Sequence, residues 1–346
     1  MSKKEYLKKV VGLGEKIGVL DLYTALRSCI APRQTRILAY HRIDWLTNYP
    51  WGELPVTPDE FEAQINYIVE HYKVISLEEL YISIQQKRKL PHNAVVITID
   101  DGYKDIYTNA YPILKKYNIP ATVFLATGSI GTGKLWWWDK VRYVIWKTKR
   151  TSIEFNELGS FRLDTDTARQ ETADFITKKL KESMTVRRDL MIDHLLSLCQ
   201  VQIPHDIGNS FILSWDEIRE MAHNGIQFGA HSINHPILTR IPLIEAENEI
   251  KESKRQIEQE LDQEIFTFCY PNGEPDDFSP EIETILKRNG FSCAVTLVPS
   301  GFASSSSELY RLPRISGADK FDMFRLLMSG LYLDIMSLKR NVGRVL

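Results

Sequence analysis

The 346-residue sequence is 43% hydrophobic and 25% charged, a globular balance, and its 43 Lys and Arg against 45 Asp and Glu leave a formal charge of −2. That balance supplies no basic footprint for nucleic acid and no general attraction to anionic membranes. The four cysteines, Cys29, Cys199, Cys269 and Cys293, are widely separated and form no CxxC pair, which reads as reduced thiols rather than a disulfide framework.

The first thirty residues begin basic, but Glu15, Lys16, Asp21 and Arg27 interrupt their apolar content. A signal peptide needs a continuous apolar core, so export by that route is not expected, and an amphipathic helix packed on the domain is. "ILAYH", Ile37 to His41, reads as a strand. Thr57 with Glu60, and Ser76 with Glu79, stand in capping-box positions before two helical patterns. The strand "VVITI", Val95 to Ile99, a helix through "YPILKKYN" and the strand "ATVFLAT" follow. This βαβα rhythm predicts an α/β fold whose parallel strands are buried on both faces.

After Gly131 the rhythm breaks. Up to Leu213 the chain offers "KLWWWDKVRYVIWKTKR", a polar stretch and one helix-like run, "KKLKESMTVRRDLMIDHLLSLCQ", which together read as a mainly helical insertion. The repeat resumes with Ser214 and Glu217 capping a helix that Gly225 ends, then the strand "IQFGAHS", a long charged helix, and the strands "IFTFCY", "FSCAVTL" and "YRLPRIS". The expected organisation is an N-terminal helical segment over 1–34, an α/β body over 35–130 and 214–318, an insertion over 131–213 and a C-terminal helical tail over 319–346.

Three strand ends carry unusual chemistry: "TIDDGY" at Asp100 and Asp101, "GAHSINHP" at His231 and His235, and "FCYPNG" at Tyr270 to Gly273. Adjacent carboxylates repel unless a cation or proton is shared between them. Two imidazoles and one carboxylate form a three-ligand set for a divalent ion with positions left for water or substrate, and the other aspartate stays free to handle protons. Both aspartates can reach one site only if the strand ends there, and Gly102 permits the turn. Pro236 disfavours helical geometry at His235, which places the histidines on a loop.

In this order and with these flanks, the three segments resemble the metal-dependent polysaccharide deacetylases of the NodB-homology, or carbohydrate esterase 4, family, over about Ile37 to Thr127 and Ser214 to Ile315. The resemblance implies a distorted (β/α)7 barrel. It also implies that Asp100 is the catalytic base and that Asp101, His231 and His235 bind the metal, zinc before cobalt, manganese or nickel. Many members carry Arg-x-Pro-Tyr where this chain reads Cys269-Tyr270-Pro271-Asn272, so Tyr270 and Asn272 are assigned to the substrate and oxyanion side, Asn272 through its backbone N–H. Arg314, ahead of Arg311, is nominated for the missing arginine. No histidine follows His235, and His41 of the Tyr-His-Arg segment is nominated as the acid that protonates the leaving amine.

The expectation is therefore a cytoplasmic, metal-dependent deacetylase acting on an N-acetylated glycan precursor, nucleotide-linked or lipid-linked, with peripheral membrane contact in the lipid-linked case. An O-acetyl esterase, a non-sugar amide hydrolase and an inactive glycan-binding module are the alternatives. The tryptophans of "LWWWDK" are expected to anchor the insertion rather than to stack on sugar.

Overall fold

The computed structural model describes residues 19–30, 33–45, 55–155, 158–298 and 302–335, so most of the expected N-terminal helix and the end of the C-terminal tail lie outside the described residues. Helix α1 (Val19–Ile30) precedes strand β1 (Thr35–Tyr40), α2 (Pro58–His71), β2 (Lys73–Val74), α3 (Leu77–Gln85) and β3 (Ala94–Ile99). One π-helical turn, Ile106–Ala110, leads into α4 (Tyr111–Lys116), followed by β4 (Thr122–Leu125). Next come α5 (Trp137–Lys147), β5 (Ser152–Glu154), β6 (Ser160–Arg162), α6 (Asp166–Lys181) and α7 (Thr185–Cys199). The chain continues through α8 (Trp215–His223), β7 (Gln227–Ala230), α9 (Leu243–Leu261), β8 (Thr267–Cys269), α10 (Pro280–Arg288), β9 (Cys293–Val295), β10 (Ile315–Ser316) and α11 (Phe321–Ser329).

Seven strands pair in the order β10-β1-β3-β4-β7-β8-β9, all parallel, with β2 added beside the start of β3. The last segment curls this sheet into a distorted (β/α) barrel. Leu312 bridges to Val295 at the end of β9, and Ile315 and Ser316 pair with Leu38 and Ala39 of β1. Pro313, which has no N–H to donate, stands at the changeover.

Alternation along the strands separates two cores. Ile37, Val96, Phe124, Cys269 and Val295 fall in one cluster with Leu77, Leu80 and Ile84 of α3. Their strand neighbours Leu38, Val95, Val123 and Phe268 pack in the larger cluster with the surrounding helices. A third cluster, including Val141, Phe155, Ile176 and Leu195, belongs to the segment between β4 and α8. At about 1.5–3 kcal/mol for each large buried side chain, it holds α5, α6 and α7 together apart from the barrel cores.

Local detail departs from the sequence expectations in three places. Of the three capping boxes, only Ser214 with Glu217 closes in both directions, whereas Thr57 and Ser76 accept from the backbone of Glu60 and Glu79 without the return bond. The insertion contains an antiparallel hairpin, β5 with β6, inside the stretch read as merely polar. The run "KKLKESMTVRRDLMIDHLLSLCQ" is two helices broken at residues 182–184, because Lys181 ends α6 and Thr185 starts α7. The tryptophans do anchor the insertion: Trp136 is buried in the main core, Trp137 in the insertion core, and Trp138 packs against both. The part of α1 that is described packs on α11 through Leu20 against Leu326 and Met323. No helix among the described residues is long and apolar enough to cross a membrane.

Candidate active site

β3 ends at Ile99, and the backbone then turns through left-handed geometry at Asp101 (φ +75°) and Gly102 (φ +81°). This turn brings both carboxylates to one place, and Asp101 itself bears the strain that the sequence assigned to Gly102 alone. His231 follows directly on β7. The loop after it is built from left-handed Ser232 and His235, with Ser232 Oγ accepting the His235 N–H at 3.0 Å. Glu249 of α9 accepts from the N–H groups of Ile233 and Asn234, both at 2.8 Å, and fixes the loop from outside.

Asp101, His231 and His235 converge. Asp101 Oδ1 lies 3.5 Å from His231 Nε2 and 3.6 Å from His235 Nε2, and the two imidazole nitrogens are 3.1 Å apart. His231 Nδ1 donates to the Cys269 carbonyl at 2.7 Å, which leaves its Nε2 lone pair for the shared point. Asp101 Oδ1 is buried without a hydrogen-bond partner among the described residues. A cation between these three atoms meets each need, so the donor set fits a divalent metal. Burial and the adjacent His231 push His235 down to about 3, keeping it a neutral ligand. Burial opposes the Asp101 charge, but the imidazoles of His231 and His235 beside it outweigh that and hold the carboxyl well below its ordinary range. A second trio, Asp100, His231 and Cys269, is also close enough to chelate. Its Asp100 is already committed to an arginine.

That arginine is Arg314. Its Nη1 donates to Asp100 Oδ1 at 2.8 Å and its Nη2 to Oδ2 at 2.7 Å, and both side chains are buried. Thr98 Oγ1 and the Thr296 carbonyl accept two more of its N–H groups. Burial works against the Asp100 charge, but Arg314 outweighs it, so the carboxyl stays ionised below the usual range. Cys269, the residue that the resemblance sets against the family's arginine, accepts from Arg314 Nη2 through Sγ at 3.0 Å. The guanidinium thus reaches Asp100 from the closing segment instead of from β8. Arg311 points elsewhere, to Glu283.

His41, just past β1, has Nε2 3.7 Å from Asp100 Oδ2 and is partly open to solvent. Tyr270 is buried with its hydroxyl on the Tyr310 carbonyl and its ring stacked on Phe278, so its side chain is committed to packing. Asn272 (φ +66°) accepts from Lys181 and donates to Asp277. Apart from Arg311, every site residue named from the sequence borders this place. A cavity of about 350 Å³ opens above it, floored by Asp100, Asp101, His231 and His235 and walled by residues of α5, α6 and α7.

Model matching assigns residues 87–294, well over half of the chain, to the polysaccharide deacetylase family. The chain belongs to that family. Its class of chemistry is the hydrolysis of N-acetyl amide bonds. Among curated relatives, YxkH of Bacillus subtilis (strain 168) is 23% identical over 285 residues, 82% of this chain and 71% of that one. A poly-beta-1,6-N-acetyl-D-glucosamine N-deacetylase of Staphylococcus aureus (strain MSSA476) is 39% identical over 106 residues, 27% of this chain and 36% of that one. Among solved structures, the Streptococcus pyogenes deacetylase PplD shares the fold at TM-score 0.58 and 24% identity, over 86% of this chain and 99% of that one.

Sequence reasoning missed a buried chain beside the candidate metal ligands. Trp138 Nε1 donates to the Tyr103 hydroxyl at 2.6 Å, which donates to Asp139 Oδ2 at 2.9 Å, while the edge of Trp138 meets His235 with ring centroids 4.9 Å apart. The available signal was a lone carboxylate within an otherwise apolar and basic helix start. Burial holds Asp139 up at about 7 from an ordinary 3.8. Ionising it in the fold therefore costs stability: the penalty is absent in acid and reaches its full size, as much as about 4 kcal/mol, once pH passes the folded value. Asp139→Asn keeps an oxygen for Tyr103, so its melting temperature is expected to exceed wild type at about pH 9 and to match it at about pH 4. Equal melting temperatures at both would show that Asp139 is not penalised.

Proposed function

We propose that this deacetylase removes N-acetyl groups from an amino sugar within a glycan or glycan precursor, using a divalent ion, zinc in first place, held by Asp101, His231 and His235. The observation that carries the reading is an ionised carboxylate, Asp100, clamped by Arg314 directly beside that donor set at the floor of a cavity. The chemistry such an ion supplies when bound is polarisation of the acetamide carbonyl and acidification of water. Asp100 takes the proton of the attacking water, whose oxygen forms the new bond to the carbonyl carbon. As the C–N bond breaks, His41 delivers a proton to the leaving amine, giving acetate and a free amino sugar. The Asn272 backbone N–H is assigned to the developing oxyanion, with Tyr270 setting the position of that turn.

The test is acetate release from N-acetylhexosamine monomers and oligomers by zinc-loaded and chelator-treated protein, with O-acetylated sugars alongside. Release from the amides that disappears with the metal and returns on its addition is the expected result. Release from esters alone would assign an esterase, and glycan binding without release would assign a binding module.

A further inference from the structure

The outer wall of the cavity is cationic. Lys178 and Lys181 at the end of α6, Arg188 in the first turns of α7, and Arg240 beyond the histidine loop all line it. The carboxylates on the same lining are committed elsewhere: Asp174 to Arg142 at 2.8 Å, Asp100 to Arg314, Asp101 to the histidines and Asp139 to Tyr103. Lys178 has no carboxylate partner among the described residues, and Arg240 lies 4.0 Å from its nearest, Asp277. Arg188 is 6% exposed, lies over the Trp137 ring at 4.8 Å and, among the described residues, pairs with the solvent-facing Asp189. A chain with a net charge of −2 has concentrated these positive charges in one place.

The break between α6 and α7 adds to the same field. α7 starts after Met184, which offers no side-chain cap, and carries no acid in its first turn, while Ser183 and Thr185 line the cavity. Helix starts usually carry a capping oxygen or an acid, because the first N–H groups and the dipole favour negative charge. Here Arg187 and Arg188 occupy the first turn instead. A bound anion would supply what the helix lacks.

We propose that the substrate is an N-acetylated sugar joined to a phosphate or diphosphate, with the phosphate held by Lys178, Lys181, Arg188 and Arg240 while the acetamide lies over the floor. This assignment rests on the deacetylase reading of the same cavity. In a 2-acetamido sugar the anomeric oxygen sits on the carbon next to the one bearing the amide, so a phosphate there lies within one ring of the bond to be cut. Lys181 joins the two regions in the protein: it lines the cavity at the end of α6 and bonds Asn272. Exposed apolar side chains accompany the cations, Met184, Val186 and Leu190 around the start of α7 and Leu243 and Ile244 after Arg240. A lipid carrier would use them and a nucleotide carrier would not.

The test compares kcat/KM of metal-loaded protein for N-acetylglucosamine 1-phosphate, UDP-N-acetylglucosamine and a short-chain prenyl-diphosphate N-acetylglucosamine with that for the neutral methyl glycoside. It runs wild type, Lys178→Gln/Arg240→Gln and Arg188→Gln in parallel, with a calorimetric titration of inorganic phosphate and metal content measured throughout. The phosphorylated sugars are expected to be preferred at least about tenfold through KM, with preference and phosphate affinity each falling about tenfold for every charge removed, at unchanged metal content. Preference for the prenyl or the UDP compound then identifies the carrier. Equal use of the neutral glycoside, with phosphate affinity unaltered in the surface double variant, overturns the inference and leaves the deacetylase reading standing. If no substrate releases acetate, that reading fails, and the phosphate titration alone decides whether the cationic wall is an anion site.

Discussion

Asp100→Asn is expected to lower turnover about a thousandfold with the metal content unchanged. Asparagine has nearly the shape of aspartate and can still accept from one Arg314 nitrogen, but it cannot take up a proton from water at any accessible pH. The three atoms proposed to bind the metal belong to other side chains, and Arg314 keeps Thr98 Oγ1, the Thr296 carbonyl and Cys269 Sγ. Fold and metal site therefore persist while the proton acceptor is gone. Turnover within tenfold of wild type, with equal bound metal, would remove Asp100 from the role of base.

Arg314→Met is expected to have the largest effect on stability. The ion pair is buried on both sides, and removing one partner of such a pair costs about 3–5 kcal/mol because the remaining charge is left without compensation. The variant should also separate the two contributions of the arginine. With Arg314 present, Asp100 is held below its ordinary range and is ready as a base throughout neutral and mildly acidic pH. Without it, burial acts unopposed and the carboxyl pKa rises. The acid limb of kcat should then move to higher pH, and activity lost at neutrality should return in part in alkali. The stability difference from wild type should narrow in acid, since the pair's contribution disappears as pH falls through the lowered Asp100 value. Thermal melts and pH profiles of the two proteins check both points. An unshifted acid limb would show that Arg314 only supports the fold.

The barrel and the floor of the site were legible in the sequence because each depends on local signals. Apolar runs of strand length end in chemistry-bearing residues, and caps such as Ser214 mark where helices resume. The candidate donors stood out by type and order, and the family resemblance nominated Asp101 over Asp100: Asp101, His231 and His235 lie just past β3 and β7, where parallel strands leave the core. Arg314 could be nominated only because a replaced arginine needed a substitute; nothing near Pro313 in sequence indicates a partner 214 residues away. The Trp138–Tyr103–Asp139 chain and the cationic wall were hidden for another reason. They arise where the insertion folds back over the barrel, and a helical period of apolar residues reports which face is buried without saying against what. The break at residues 182–184 was missed because lysine, glutamate, serine and methionine there are all tolerated within a helix, and no glycine or proline announces the turn.

The closing segment also sets the order in which the protein can mature. Among the described residues Leu312 to Ser316 is the last piece of the sheet, and it carries the arginine that neutralises Asp100. During synthesis, most of the barrel strands emerge while Asp100 still lacks its counter-ion, so a partly made chain has reason to keep this strand end hydrated rather than buried. Such a long-range contact is slow to form. Docking of this strand therefore seals the barrel and gives Asp100 its counter-ion in one late event, and a chain released before Arg314 has neither a closed fold nor a neutralised Asp100.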